Sequence, residues 1–371
     1  MPLGKAGITR AFGAPSRYIQ GPGELLSLPE YVKISGDPAF ILIDPFFWEM
    51  YSTLLPELFQ KNETVAFCTC FNGECCDAEI ERVGRLAKEN RARTVVGIGG
   101  GKTCDTVKAA GEICSAQVIV CPTSLSTDAP TSVHSVVYRD DHTYYVLPHK
   151  RNPDLVLVDT EVAVNAPPRM FAAGMGDALA TFYEARACLE CDNITNIGKG
   201  YRQTQLGMRI ARLCFEILME KGRNAYFAAC RHIRTDAFED VAEANTLLSG
   251  LGFENTGCSI AHGLQASFSV LSDTHPYLHG EQVAFGSLCQ LVVENRPMEE
   301  FLQAYHFCKD INLPISLAGI GITENVQEKL DYVVSYGIKN KQIIHAEPFE
   351  VTAGRLINAI KYVDAYAEAH E

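Results

Sequence analysis

A chain of 371 residues, 47% hydrophobic and 21% charged, can bury a sizeable core; this excludes wholesale disorder and allows two domains at roughly 150 residues each. Its 32 basic and 45 acidic residues sum to -13, and Lys88, Arg91 and Arg93 lie scattered among acidic neighbours. With no basic run to track phosphates, nucleic acid is excluded as a partner.

Met1 to Pro15 carries Lys5 and Arg10 without an apolar core between them, so no signal peptide is expected. The most apolar stretch, Ala39 to Met50, is broken by Asp44, Pro45 and Glu49 and falls short of the about 20 residues of a membrane span. Ala39–Ile43, Val65–Cys70, Thr94–Ile98, Gln117–Cys121 and Leu155–Val158 have strand length and apolarity. Between them, Asp77–Asn90 reads as a helix with Ile80, Val83 and Leu86-Ala87 on one face and Asp77 as its N-cap. Such alternation predicts a parallel, Rossmann-like α/β sheet covered on both faces. Ser132–Tyr138 and Thr143–Leu147, flanking Arg139-Asp140-Asp141-His142, predict a hairpin.

Near Asn165-Ala166-Pro167-Pro168 the pattern changes. Gly174–Leu189, Tyr201–Glu220, Thr235–Leu251, His279–Asn295, Met298–Lys309 and Ala353–Ala369 predict helices. The expected organisation is an α/β domain over 1–166 and an all-α domain over 167–371. The 14 Cys sit largely in apolar runs and read as reduced thiols. Cys68-Thr69-Cys70 and Cys75-Cys76 could form a thiolate metal cluster, but their place at a strand end and before a helix favours structural cysteines. A soluble, cytoplasmic protein is expected.

Gly97-Ile98-Gly99-Gly100-Gly101-Lys102-Thr103-Cys104-Asp105 follows a strand and opens a helix to Cys114. Glycines there let backbone amides approach a phosphate, although a plain strand-to-helix turn would look the same. Neither standard nucleotide fingerprint fits: Val96 replaces the first glycine of one, and Lys102 or Cys104 the last of the other. Asp44, ending a strand, could accept hydrogen bonds from a ribose and repel a 2′-phosphate, which selects NAD over NADP; as a turn residue before Pro45 it needs no ligand.

In the helical half, Asp177, His262 and His279 each lie among small or apolar neighbours. A buried carboxylate and two imidazoles are costly unless paired or metal-bound, and three N/O ligands with one open position suit a catalytic Zn²⁺, with Fe²⁺ as the alternative. An N-capping Asp and two core histidines is the other reading.

These motifs occur together with Ser126-Thr127-Asp128-Ala129-Pro130, Asn152-Pro153-Asp154, Gly176-Asp177-Ala178-Leu179-Ala180-Thr181, Glu243-Ala244-Asn245 and His279-Gly280-Glu281. On them the chain resembles the glycerol dehydrogenases, within the iron-containing (group III) alcohol dehydrogenase superfamily, over nearly its whole length. The resemblance implies NAD- and zinc-dependent oxidation of glycerol, or of another 1,2-diol, hydroxyketone or hydroxy acid, in a cleft between the two domains, by a homo-oligomer, often an octamer. It implies Asp177, His262 and His279 as metal ligands, with Thr181 in place of a further His of iron-dependent relatives, favouring zinc. It further implies Asp44, Gly99, Gly100, Gly101, Lys102, Thr103, Asp105, Thr123, Ser126, Ser132, His134 and Tyr138 as NAD-binding positions, His134 through its backbone, and Asp128 as the residue holding the polyol. The family's His-x-x-His-Asn-Gly pattern is altered: Gln265 follows His262 and cannot titrate near neutral pH. His275, four residues before His279, is a further imidazole near the ligand set. A dehydroquinate-synthase-like lyase or a phosphorylated substrate would need basic residues beside the ligand motifs, where no Arg or Lys pair stands.

Overall fold

The computed structural model describes residues 9–139, 143–193, 195–198 and 200–370. The first residues of the stretch expected to lack a signal peptide, and the predicted turn Asp140-Asp141-His142, lie outside the described residues. The chain forms two compact units. One is Gly13–Ala166 joined by His232–Arg234; the other holds, among the described residues, 9–12, Pro167–Arg231 and 235–370.

The first unit is built on a six-stranded sheet of β1 (Tyr18–Gly21), β2 (Ala39–Ile43), β3 (Ala66–Cys70), β4 (Thr94–Gly99), β5 (Gln117–Pro122) and β8 (Leu155–Asp159), in the order β1-β8-β5-β4-β2-β3. All neighbours are parallel. The expected hairpin is β6 (His134–Tyr138) and β7 (Tyr144–Pro148), a separate antiparallel pair. Alternating residues face opposite sides. Ile41, Ile43, Val96, Ile98, Ile119 and Leu157 pack with Leu28 and Val32 of α1 (Leu28–Ser35) and Tyr51, Leu55 and Phe59 of α2 (Pro45–Lys61). The other side takes α4 (Gly101–Cys114), where Gly97 meets Val107 and Gly111 meets Val118. The predicted helix at 77 is α3 (Asp77–Glu89), but Cys76 is its N-cap. Asp77 instead accepts the Tyr145 hydroxyl at 2.6 Å. The chain runs from β2 outward to β3, then returns to the other side of β2 for β4. That reversal opens a crevice between the carboxyl ends of β2 and β4, where open α/β sheets bind ligands.

After the short α5 (Thr160–Ala163), the second unit is helical: α6 (Pro168–Glu190), α7 (Gln205–Ala229), α8 (Asp236–Glu243), α9 (Ser249–Thr256), α10 (Ile260–Phe268), α11 (His279–Val293), α12 (Met298–Asp310), α13 (Val326–Asn340) and α14 (Ala353–His370). The segment predicted as one helix from Thr235 is α8 and α9 joined by a π-helical turn, Ala244–Leu248. No described helix is long and apolar enough to cross a membrane. The α/β plus all-α architecture expected from the sequence is the one the chain adopts.

Candidate active site

Asp44 and the glycine loop meet at the crevice of the α/β unit. Asp44 donates its amide to the Ile98 carbonyl at 2.9 Å, and its carboxylate caps α2 by accepting from the Phe46 amide at 3.0 Å. A Cβ on Gly99 would stand 2.4 Å from Thr103 Oγ1 and 3.0 Å from Asp44 Cβ, so only glycine allows this approach. Gly100 is the N-cap of α4 and supplies no capping side chain, so the first amides of the helix stay available to an anion. Thr103 Oγ1 is buried without a hydrogen-bond partner among the described residues.

The remaining residues expected to bind the cofactor fall into two groups. Thr123 donates its amide to the Gly99 carbonyl at 3.0 Å and so borders the glycine loop, while Ser126 Oγ lies 3.3 Å from Ser124 Oγ. Lys102 is exposed, paired with Glu74 at 2.6 Å, and stands 4.9 Å from the Tyr138 ring centre. Asp105 and Lys108 do something different. Both are buried and paired at 2.8 Å, and Asp105 also accepts from the Val136 amide at 2.9 Å. Lys108 Nζ further donates to the carbonyls of Ala129, at 2.8 Å, and His134. Ser132 Oγ donates to the same His134 carbonyl at 3.2 Å. Asp105, Ser132 and the His134 backbone are thereby engaged in tying the 129–134 loop to α4. Asp128, buried, opens that loop and accepts from the Thr131 amide through its carbonyl at 3.2 Å.

In the helical unit Asp177, His262 and His279 come together from α6, α10 and α11. Their ligand atoms lie within 4.8 Å of one another. Small residues allow this: a Cβ on Gly280 would stand 1.8 Å from the Ala173 carbonyl, and one on Gly286 would stand 2.6 Å from that of Ala261. Ala180, Ala261 and Val283 fill the space between the three helices. Asp177 Oδ1 faces His262 Nε2 at 3.2 Å and His279 Nε2 at 3.3 Å. The Asp177 side chain is 1% exposed, that of His262 15% and that of His279 41%, so the group is sealed on one side and open on the other.

The charges of the group are tightly coupled. Burial alone would raise the Asp177 carboxyl, but the two histidines hold it well below the usual carboxylate range. Burial would lower His262, yet Glu184, Cys258 and Asp177 outweigh it and push the imidazole well above its ordinary value. Nδ1 of His262 must donate, because Glu184 Oε2 beside it at 2.6 Å can only accept. Nε2 then meets Asp177 either as a second N–H or across a shared cation. Two imidazole nitrogens and one carboxylate oxygen with an open side have the donor set of a divalent transition-metal site.

Glu184, which contacts His262 from α6, does not stand out in the sequence. It reads there as an ordinary helical acid, and only the tertiary packing around α6 buries it. His275 turns away and bonds the Ser269 carbonyl through Nε2 at 3.0 Å. Gln265 lies half-buried one turn after His262 on α10.

Residues 15–160 match the family model described as iron-containing alcohol dehydrogenase. The chain is 42% identical to a glycerol dehydrogenase of Thermotoga maritima, covering 95% of this chain and 96% of that one. It is 39% identical to a glycerol dehydrogenase of Citrobacter freundii over the same shares. Its fold matches the crystal structure of glycerol dehydrogenase from Schizosaccharomyces pombe with a TM-score of 0.93 at 32% identity, covering 98% of this chain and 92% of that one. With such identity sustained over nearly the full length of its relatives, the chain belongs to the glycerol dehydrogenases of the iron-containing alcohol dehydrogenase family and is an oxidoreductase.

Proposed function

We propose that the chain catalyses the NAD-dependent, zinc-dependent oxidation of glycerol to dihydroxyacetone. The observation that carries this reading is the convergence of Asp177, His262 and His279 within 4.8 Å on a surface open at His279. When bound, zinc supplies the Lewis acidity that eases loss of an alcohol proton, and the dinucleotide supplies the hydride acceptor. The chain's own task is positioning. Asp177 gives the metal site its buried negative charge, and His279 at the rim leaves the substrate a way in. Gly99, Gly100, Gly101, Lys102 and Thr103 hold the pyrophosphate on the first amides of α4, with Thr123 and Ser126 beside them. Asp44 keeps one carboxylate oxygen for a ribose hydroxyl while the other caps α2. Asp105, Ser132 and His134 support the cofactor through the loop that Lys108 anchors, Tyr138 does so from beside Lys102, and Asp128, where that loop opens, orients a free polyol hydroxyl.

In this reading residues 1–166 form the NAD-binding domain and 167–371 the metal-binding catalytic domain. The enzyme works in the cytoplasm as a homo-oligomer on a small polyol, with no nucleic-acid or membrane partner. The test is NADH formation from NAD⁺ and glycerol by chelator-stripped protein, with and without added Zn²⁺ or Fe²⁺. Turnover restored by zinc supports the reading. Turnover restored by iron alone replaces the metal, and retained NAD binding without glycerol turnover moves the substrate to another 1,2-diol or hydroxyketone, with Gln265 as the altered position.

A further inference from the structure

We infer that Glu184 is the positioning residue of the metal centre, fixing the tautomer of His262 and the start of the helix that carries it. This rests on the reading that Asp177, His262 and His279 hold a divalent metal. Glu184 stands seven residues after Asp177 on α6, two turns along and on the same face. It is 0% exposed, and its ion-pair partner is His262 itself. Oε1 accepts from the amides of Ser259 at 2.8 Å and His262 at 2.9 Å, while Oε2 accepts from His262 Nδ1 at 2.6 Å.

A cap alone would not need this carboxylate. Ser259, the N-cap of α10, is of a favoured capping type, yet its side chain makes no cap bond. Its hydroxyl turns instead to Glu347, at 2.6 Å, and to the Ala346 carbonyl, at 3.0 Å. Glu184 takes over the cap and adds the one contact Ser259 could not make, a proton held on Nδ1. That contact leaves the Nε2 lone pair for the metal. The candidate ligand atoms of Glu184, Cys258 and His262 also lie within 4.8 Å of one another, but both Glu184 oxygens are already engaged with α10. One helix thus carries a ligand and, two turns later, the group that orients a second ligand.

The test is the zinc dissociation constant by chelator competition, with the visible absorption of the Co²⁺-substituted protein as a second readout. In Glu184→Gln the amide NH₂ would face Nδ1, and the simplest repair moves the imidazole proton to Nε2, the metal-facing atom. Zinc should bind about 10- to 100-fold more weakly, and the Co²⁺ spectrum should change. Ser259→Ala, which loosens the same helix start without touching Nδ1, should lower the melting temperature but leave zinc affinity unchanged. If Glu184→Gln does not fold, Glu184→Asp keeps the charge, withdraws it by one methylene, and should show a smaller loss with an altered Co²⁺ spectrum. Unchanged zinc affinity in the folded variant would overturn the inference and leave Glu184 a helix cap. Zinc kept by Asp177→Ala but lost by Cys258→Ser would overturn it as well, making Glu184 a ligand. Wild-type protein that takes up no zinc defeats the underlying reading, whatever the variants do.

Discussion

The glycine loop and the Asp177, His262 and His279 group are assembled by opposite means. The loop works with backbone: consecutive residues at the end of one strand, glycines that let Asp44 and Thr103 close in, and amides at the start of α4. The metal group works with side chains, one from each of three helices, and depends on those helices touching through Gly280 and Gly286. A backbone site tolerates change at its side chains but not added bulk. A side-chain site fails when one ligand goes. Substituting Asp177 by Asn should therefore have the largest effect. It keeps the shape and removes the charge that both Nε2 atoms face, so zinc content should fall to background and kcat/KM by about 10³ or more, several kcal/mol of transition-state stabilisation. NAD binding to the same variant, followed by nucleotide fluorescence, should be unchanged. A joint loss of zinc and NAD would break the division of labour between the two regions.

The converse experiment is in the α/β unit. Lys108→Met removes one partner of a buried ion pair and strands the carbonyls of Ala129 and His134, a change that typically costs about 3–5 kcal/mol. The single tryptophan, Trp48, packs against the core of this unit, so its fluorescence should report a lowered denaturation midpoint there. KM for NAD should rise while zinc affinity stays as in wild type. An unshifted Trp48 transition would show that the 129–134 loop holds without its anchor.

The same contrast explains what the sequence could convey. The glycine loop was legible because its residues are contiguous and sit between a recognisable strand and helix. Asp177, His262 and His279 were legible as types in odd surroundings, but no spacing says that α6, α10 and α11 converge. Glu184 was invisible because its burial is a tertiary fact. Among the elements, β1 was missed since Tyr18–Gly21 is only four residues with no alternation in burial. α2 was missed since Pro56 interrupts its interior. α10 is short and buried nearly all round, which erases the amphipathic pattern that marks α3. Asp77 has the residue type of a cap, but the helix begins one residue earlier than that, after Cys76, and Tyr145 from β7 claims its carboxylate.

Behind the metal group a third kind of buried charge gives the smallest effect. Glu347 is buried beside Ser259, and burial, with Glu294 and Glu184 nearby, pushes its carboxyl from 4.5 up to about 8 despite Arg296. Ser259 Oγ donates to Glu347 Oε1 at 2.6 Å, which offsets only part of that rise. An acid whose folded pKa is raised releases its proton more readily once unfolded. Its contribution to stability is therefore complete below about pH 4.5 and is lost as pH rises to about 8. Glu347→Gln removes this titration and keeps the shape. Melting curves of variant and wild type should coincide near pH 4.5 and separate as pH rises, with the variant the more stable of the two beyond pH 8. Zinc affinity should not follow, because Glu347 bonds the hydroxyl of Ser259 while Glu184 holds the backbone and His262. Parallel melting curves across the range would mean that Arg296 neutralises an ionised Glu347. A zinc affinity that tracked the Glu347 titration would mean that the start of α10 transmits charge to the ligand, and that the cap and the metal site are not separable.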